Sequence, residues 1–321
     1  MMAEGETHCC TTPNPRETGP GVFMPTPAIG HRQLPDQLVE VPGGRAFVGT
    51  ARTALSDDGE GPPRRVRVAP FLMAATTVTN AEFERFVAAT GHVSEAEQWG
   101  WSFVFWTDVP QSVGPTDGVA GSEWWRRVDG ANWRDIHGPG SAEQAWRPDH
   151  PAVHMSWNDA TAYAAWVGGR LPSEAEWEHA ARGGLGDVRF PWGDDEPDDT
   201  HFMPCNIWQG QFPQKNSKAD GYAGTAPAAS FKPNGFGLFN MVGNVWEWTA
   251  DDFRIRSLKK TAQERMRHMQ GFRLSKGGSF LCHKSYCFRY RIAARTGISP
   301  DSTAAHQGMR IVWDDPARQD G

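Results

Sequence analysis

Two cysteines, Cys282 and Cys287, stand five positions apart in the run GGSFLCHKSYCFRYRIAAR at 277–295. Two thiolates alone suit Cu(I), which prefers sulfur and leaves positions open for an incoming thiol or oxygen. A tetrahedral zinc site needs four ligands, and Cys205 with scattered histidines supplies no second close pair. A disulfide needs an oxidising compartment, and residues 1–20 lack the apolar core of a signal peptide. The spacing therefore leaves a copper site and a pair of inert buried thiols as the open alternatives.

The residues around the pair predict a loop that leads into a strand. Gly277-Gly278-Ser279 lets backbone approach closely, and the aromatic and arginine residues after Cys287 alternate with a period of two. On such an extended segment His283 points to the face opposite Cys282, so we leave it out of the metal site.

The remaining sequence predicts short elements joined by many turns. LVEVPGGRAFVG from Leu38 and RVRVAPFLMAATTV at 65–78 have the pattern of strands. Capping boxes predict helices that start at Thr79, Ser156 and Ser173. The helix after Ser156 repeats apolar residues on one face, namely Ala160, Tyr163, Ala164 and Val167. We expect a mixed α+β fold, low in regular secondary structure.

Composition indicates one loop-rich domain. The 321 residues include 35 Gly, 24 Pro and 15 Trp, and the net charge of -6 gives no broad basic face for nucleic acid. No apolar run reaches the roughly eighteen residues of a membrane span. We expect a disordered tail at 1–36, which holds Cys9 and Cys10, a single domain at 37–316 and a short tail at 317–321. We also expect a cytoplasmic monomer with no nucleic-acid or membrane partner.

The sequence resembles the formylglycine-generating enzyme family from about Leu38 to Asp315. Besides the cysteine run, the similar motifs are, in chain order, HPAVHMSWNDATAYAAW at 150–166, RLPSEAEWEHAARGG at 170–184, NIWQGQFP at 206–213, NGFGLFNMVGNVWEWTAD at 234–251 and SPDSTAAHQGMRIVWD at 299–314. The resemblance implies a fold distantly related to C-type lectins. It also implies a copper-dependent oxidase that uses molecular oxygen and a thiol reductant. Such an enzyme converts the cysteine of a Cys-x-Pro-x-Arg motif in an unfolded sulfatase polypeptide to Cα-formylglycine.

The resemblance also implies roles for individual residues at the thiol pair. Cys282 and Cys287 would hold Cu(I) almost linearly, Ser279 matches the active-site serine, and Trp246 and Tyr286 match residues that wall the pocket. Without the resemblance, Trp246 reads as a core side chain and Ser279 as a turn cap.

Two structural calcium sites follow from the same resemblance. Ca²⁺ takes six to eight oxygen ligands, from carboxylates, amides and backbone carbonyls. The positions that match the family's sites are Asn206, Ile207, Asp220 and Tyr222 for the first ion and Asn240, Gly243, Val245 and Glu247 for the second. Residue types alone favour turn caps at each asparagine-plus-acid pair.

Substrate contacts are implied at three positions. Trp124 matches a tryptophan of the peptide groove, and His306 stands where eukaryotic relatives carry an asparagine near the pocket. Trp101 replaces an aspartate that faces the motif arginine in the human-type enzyme, so we expect the arginine to stack on an aromatic ring.

Two disulfides of eukaryotic relatives are absent from this sequence. Their four cysteine positions hold Ala164, Ala181, Ile292 and Ile311. A reducing cytoplasm permits this replacement.

Three alternatives remain. An inactive paralogue that only binds sulfatases would lack the cysteine pair, which is present here. An iron-dependent sulfoxide synthase of the same fold would carry two histidines four apart followed by a glutamate, and this sequence has no such stretch. A lectin-like binding module would leave Cys282 and Cys287 unexplained.

Overall fold

Regular secondary structure is short along the part of the chain that the computed structural model describes, residues 37–255 and 259–314. The predicted tails, with Cys9 and Cys10, lie outside these residues. The helices are α1 Asn80–Thr90, α2 Glu95–Trp99, α3 Ala142–Ala145, α4 Trp157–Trp166, α5 Glu174–Arg182 and α6 Lys260–His268. The strands are β1 Leu38–Val41, β2 Gly44–Val48, β3 Arg64–Val68, β4 Phe71–Ala74, β5 Trp101–Phe105, β6 Gly118–Val119, β7 Ser122–Asp129, β8 Gly210–Gln211, β9 Lys215–Asn216, β10 Trp246–Asp252, β11 Arg273–Lys276, β12 Thr296–Ile298, β13 Gln307–Gly308 and β14 Val312–Asp314. This confirms the predicted mixed fold with little regular structure.

The strands form small sheets that join distant parts of the chain. One sheet has the order β1-β4-β14 and a second has the order β12-β11-β10-β13. In the second sheet β13 runs parallel to β10, so that Trp246 lies opposite Gln307. The second sheet thus brings the residues around Trp246 next to the segment that carries His306.

The three predicted helix starts are confirmed. Thr79, Ser156 and Ser173 each accept a hydrogen bond from the backbone N–H three residues on, and the acid at that position accepts the backbone N–H of the cap. These bonds satisfy donors that a helix N-terminus otherwise leaves without partners. A fourth capping box, Ser94 with Glu97, starts α2 and was missed from the sequence.

The strand predicted directly after Cys287 is wrong. Residues 287–292 contain no strand, and the backbone turns ahead of them, because the Cys287 N–H donates to the His283 carbonyl at 2.7 Å. The alternating arginines have another cause. Each arginine pairs with an acid far away in sequence: Arg289 with Asp58, Arg291 with Glu60 and Arg295 with Glu174.

The thiol pair lies in the main apolar core. Cys282 and Cys287 share a cluster of buried side chains with Trp177, Trp246 and Tyr290. A second cluster packs α1 and α4 together, and a third, rich in aromatic rings, lies around β5 and β7. No helix in the described residues is both long enough and apolar enough to cross a lipid bilayer.

Candidate active site

The sulfur atoms of Cys282 and Cys287 lie 3.1 Å apart, and each side chain is 1% exposed. The same turn places both: the Cys282 N–H donates to the Ser279 carbonyl, and the Cys287 N–H donates to the His283 carbonyl. A disulfide bond is about 2.05 Å long, so this separation is a close contact between two sulfurs without a bond. The predicted convergence of the two thiols is therefore present.

Ser279 connects the pair to His306. Its backbone N–H donates to the Cys282 sulfur at 3.5 Å, and its hydroxyl oxygen lies 3.3 Å from His306 Nδ1. Burial lowers the pKa of His306 to about 3, so the ring is neutral at ordinary pH. A neutral imidazole nitrogen can accept a hydrogen bond from the Ser279 hydroxyl, and this bond would orient the hydroxyl group.

A cation stands close to the second sulfur. The guanidinium of Arg289 lies 4.0 Å from the Cys287 sulfur, and its Nε donates to Asp58 at 2.7 Å. The ion pair with Asp58 thus holds an N–H donor beside the Cys287 sulfur. Sequence reasoning missed this residue, because Asp58, which fixes its position, is 231 residues away.

Aromatic rings pack beside the apolar cluster that holds the pair. Tyr286, next to Cys287, stacks on Phe212 with ring centroids 4.2 Å apart, and Trp124 meets Tyr286 edge-on at 5.0 Å. Trp124 and Tyr286 were predicted, whereas Phe212 was missed. Its only signal was its place in the motif NIWQGQFP.

Trp246 and Trp101 occupy very different surroundings. Trp246 is fully buried in the cluster that holds both cysteines, and its backbone N–H donates to the His306 carbonyl at 2.9 Å. Trp101 is 5% exposed, and the guanidinium of the protein's own Arg127 covers its ring at 4.7 Å. The structure brings Trp246 to the site and places an internal arginine on the ring expected to receive the motif arginine.

The thiol pair fits a soft ion of low coordination number better than zinc or non-haem iron. Among the described residues, no group of three or more His, Cys, Asp and Glu side chains is arranged to hold a metal. His283 turns to Ser285, with Nδ1 2.7 Å from its hydroxyl. The two sulfurs of Cys282 and Cys287, 3.1 Å apart, would be the groups that hold such an ion.

Two residues of the first calcium set, Ile207 and Asp220, contact the same side-chain amide. The Gln209 side-chain amide donates to Asp220 Oδ2 at 3.0 Å and also to the Ile207 carbonyl, so the two oxygens lie on either side of its nitrogen. Burial raises the pKa of Asp220, as expected for a carboxylate that lacks a compensating cation. The Asp220 and Ile207 oxygens therefore fit a hard cation once the Gln209 amide moves aside.

The second calcium set fits less well. Glu247 is already neutralised, because both its oxygens accept hydrogen bonds from Arg310 and one also accepts the Trp177 indole N–H at 2.7 Å. Asn240 offers a better acceptor, since its buried Oδ1 has no hydrogen-bond donor within the described residues. One amide oxygen and a neutralised carboxylate are a weaker attraction for a divalent ion than the first set.

The chain matches known proteins over almost its whole length. Residues 25–315 fit the family model described as sulfatase-modifying factor enzyme 1-like domain. The chain belongs to this family. A formylglycine-generating enzyme from Thermomonospora curvata is 48% identical over 92% of this chain and 99% of that protein.

The same fold also occurs in more distant relatives, one of which is named as inactive. A mouse (Mus musculus) protein named inactive Cα-formylglycine-generating enzyme 2 is 40% identical over 88% of this chain and 87% of its own length. The solved structure of PvdO from Pseudomonas aeruginosa has a TM-score of 0.60 and 25% identity, covering 87% of this chain and 94% of that one. The distant relationship to C-type lectins stays a prediction.

Proposed function

We propose that this member of the sulfatase-modifying family is a formylglycine-generating enzyme that oxidises the cysteine of a Cys-x-Pro-x-Arg motif in an unfolded sulfatase polypeptide. The supporting observation is the pair of buried sulfurs 3.1 Å apart in a chain 48% identical to a protein of that name. The reaction consumes one O₂ and two thiol equivalents of reductant. The client CH₂–SH becomes an aldehyde, and hydrogen sulfide and water leave.

Cys282 and Cys287 are the proposed ligands of Cu(I), which supplies the one-electron chemistry with oxygen that protein side chains lack. The chain's own groups prepare the sulfurs for this role. The Ser279 N–H donates to the Cys282 sulfur, and the Arg289 guanidinium faces the Cys287 sulfur. Both contacts stabilise negative charge on sulfur and orient the ligand.

Ser279 and His306 are the proposed polar contacts for the client cysteine. The neutral His306 ring lies 3.3 Å from the Ser279 hydroxyl and can orient it, on the residue whose backbone N–H contacts the Cys282 sulfur. Trp246 packs in the same cluster and excludes water from that side. A dry site prevents bulk water from competing for the oxidised cysteine.

Tyr286, Phe212 and Trp124 form the proposed wall for the client backbone. Because both sulfurs are 1% exposed, a client thiol reaches them only when a neighbouring side chain moves. Tyr286 and Phe212 are half-buried, and their rings stack on each other. Moving them apart therefore breaks fewer van der Waals contacts than moving a fully buried ring.

The proposed setting is a reducing cytoplasm, where the enzyme acts as a monomer. Ala164 and Ile311 lie in one buried apolar cluster, and Ala181 and Ile292 lie in another. All four positions are at most 2% exposed, so packed aliphatic groups fill the places of the cysteines in eukaryotic relatives.

A peptide assay tests the proposal. Protein loaded with Cu(I), with air and a thiol reductant, is expected to convert a Cys-x-Pro-x-Arg peptide to an aldehyde, which mass spectrometry detects with and without a hydrazide. Cys287→Ala is expected to abolish both conversion and tight Cu(I) binding.

Cys205→Ala is the matched control, because Cys205 is also buried and lies in the same apolar cluster. Its burial raises its thiol pKa, which keeps it protonated and a poor metal ligand. Conversion by Cys287→Ala at the wild-type rate would falsify the copper assignment. Binding of the peptide without any aldehyde would instead indicate an inactive sulfatase-binding protein.

A further inference from the structure

Three arginines lie close together on the outward face of the ribbon that β2 and β3 form. In this antiparallel pair Arg45 lies directly opposite Arg67, and Phe47 lies opposite Arg65. Successive side chains of a strand point to opposite faces. The valines of both strands, which alternate with these residues, belong to the main apolar core or pack against it, whereas the three arginines are exposed. Arg45, Arg65 and Arg67 therefore form one positive surface, the arginine face.

No acid within the described residues neutralises the arginine face. Its three side chains have neither an ion pair nor a hydrogen bond to any residue in 37–255 and 259–314. Arg64, which alternates with them on β3, is instead paired with Glu174. Like charges directly opposite each other on two strands destabilise a sheet. An anion from another molecule would relieve the repulsion between Arg45 and Arg67.

The ribbon also has an open backbone edge beside two of these arginines. In the part of the chain that the structure describes, β2 and β3 pair only with each other. Arg182 occupies the side of β2, where it donates to the Phe47 carbonyl at 2.9 Å. No backbone hydrogen bond joins residues 64–68 to any described segment besides β2. Open edges of this kind accept an extended peptide as an additional strand.

We propose that the outer edge of β3 binds an extended acidic segment of a partner protein that carries Asp or Glu at alternate positions. Arg65 and Arg67 are two residues apart, which is roughly 6.8 Å along a strand. Alternate carboxylates of an added strand have the same spacing and would lie on the same face. Opposite charges on neighbouring strands attract, and a guanidinium can donate two parallel hydrogen bonds to one carboxylate. The thiol pair takes no part in this interaction.

A single-stranded nucleic acid fits the arginine face less well than an acidic peptide. Proteins that bind such strands combine positive charge with open aromatic rings on which the bases stack. The ring between the arginines is that of Phe47, and the guanidiniums of Arg65 and Arg182 each lie over it at 5.0 Å. A base would therefore find this ring already covered.

Two labelled peptides of equal composition test the proposal. Both have about eight residues, half of them glutamate and half threonine, so that either can span β3 in the extended form. In the first peptide the two residue types alternate singly, and in the second they alternate in pairs, so that only one glutamate at a time faces Arg65 and Arg67. Fluorescence anisotropy at low salt is expected to show about tenfold tighter binding of the first peptide to the wild type.

Single substitutions locate the binding site. Arg65→Gln and Arg67→Gln are each expected to weaken binding of the first peptide about fivefold and to reduce its advantage over the second. Arg85→Gln is the matched control, because it removes the same charge from an exposed position on α1. It is expected to bind both peptides as the wild type does. The melting temperature of each cluster variant is expected to stay at the wild-type value or above, because no ion pair is lost.

Methylated peptides test strand pairing separately from charge. Two versions of the first peptide carry N-methyl groups either on every glutamate nitrogen or on every threonine nitrogen. Alternate backbone groups of a strand face opposite edges, so one version is expected to lose binding and the other to keep it. Equal affinity of both versions and the unmodified peptide would overturn binding at the edge of β3.

Four further results would overturn the proposal. The two unmodified peptides could bind the wild type equally well. Arg85→Gln could weaken binding as much as Arg67→Gln, which would indicate a non-specific attraction. A single-stranded oligonucleotide could bind more tightly than the first peptide, which would assign the arginine face to nucleic acid. Finally, no peptide could bind while light scattering shows that Arg67→Gln self-associates, so that the arginines serve only to keep this edge unpaired.

Discussion

On a residue whose backbone N–H donates to the Cys282 sulfur, the Ser279 hydroxyl lies 3.3 Å from the buried neutral ring of His306. If it contacts the client cysteine, its loss removes an interaction near the reacting centre and leaves both metal-binding sulfurs in place. Ser279→Ala is therefore expected to lower kcat about 10–100-fold, with Cu(I) affinity changed less than about threefold. Steady-state kinetics and a competitive Cu(I) titration measure the two quantities.

Ser285→Ala provides the control for that experiment. Its hydroxyl contacts His283, and it lies on the same turn as the cysteines but is exposed. We expect wild-type kinetics from this variant. A Ser279→Ala protein with unchanged kcat would remove the serine from the proposed mechanism.

His154 gives the protein a pH-dependent stability. The ring is fully buried, with its nitrogens 2.7 Å from the Ser102 hydroxyl and 2.8 Å from the Ile136 carbonyl, and burial lowers its pKa to about 3. Below a pH of about 6.5 the unfolded chain binds a proton that the folded chain does not bind. The free energy of unfolding is therefore not reduced by His154 above pH 6.5, and it falls as the pH is lowered from 6.5 toward about 3. At pH 5 the loss is about 2 kcal/mol.

Urea denaturation at two pH values measures this contribution. His154 has a φ of 61°, a region that asparagine tolerates well, so His154→Asn is the suitable variant. The loss of unfolding free energy between pH 7 and pH 5 is expected to be about 2 kcal/mol smaller in this variant than in the wild type. His268→Asn, at an exposed ring, is expected to show the wild-type loss. Equal losses in the wild type and His154→Asn would contradict the assignment.

At the scale of elements, α5 connects local sequence to the site. Ser173 and Glu176 close its capping box, and Trp177 in its first turns donates to Glu247. Ser173→Ala is expected to lower the free energy of unfolding by about 1 kcal/mol, because the cap no longer satisfies the Glu176 N–H. The shift appears as a lower urea midpoint with an unchanged slope.

Thr161→Ala is the helix control for this prediction. Its exposed hydroxyl donates to the Trp157 carbonyl within α4 and caps nothing. We expect a change within about 0.5 kcal/mol, since alanine has the higher helix propensity. Equal destabilisation by both variants would mean that the Ser173 cap contributes nothing of its own.

Three helix starts were predictable from sequence, whereas the strand predicted after Cys287 was wrong. A capping box depends on residues three positions apart, so Thr79, Ser156 and Ser173 identify helix starts without any tertiary information. The alternating arginines at 289 and 291 instead form ion pairs with the acids at positions 58 and 60. An alternation of residue types indicates a strand when one face of a sheet is buried. At 289 and 291 the arginines alternate without a sheet, and each forms a long-range ion pair.

The candidate site divides in the same way. Ser279 and the two cysteines were predictable, because a motif in one segment specifies them. Phe212 and Arg289 acquire their roles only when distant segments pack against that motif. For Trp101 the sequence could not show that Arg127, on the neighbouring strand, covers the ring expected to receive the motif arginine.

At the scale of the whole molecule, calcium is expected to stabilise the fold through Asp220. A ligand that binds only the folded state adds about 2.7 kcal/mol at a concentration of 100 times its Kd. Calcium is therefore expected to raise Tm, and EGTA to reverse the rise. Asp220→Asn is expected to lose most of this response, because the charge that faces the Gln209 amide is gone.

Asp195→Asn, at an exposed position outside both calcium sets, is expected to keep the full response. Differential scanning calorimetry with calcium and with EGTA measures each protein. If Asp220→Asn responds to calcium as the wild type does, the first calcium set is wrongly assigned. A Tm of the wild type that ignores calcium would discard both sets.

The sheet order β1-β4-β14 has a consequence for synthesis. Strand β14 at Val312–Asp314 pairs with β4 at Phe71–Ala74, and β13 pairs with β10 at Trp246 and Glu247. A nascent chain on the ribosome cannot complete either sheet until its last strand has emerged. Cys282 and Cys287 share their buried cluster with Val312 of β14, so the core around the thiols is complete only after this last strand has docked.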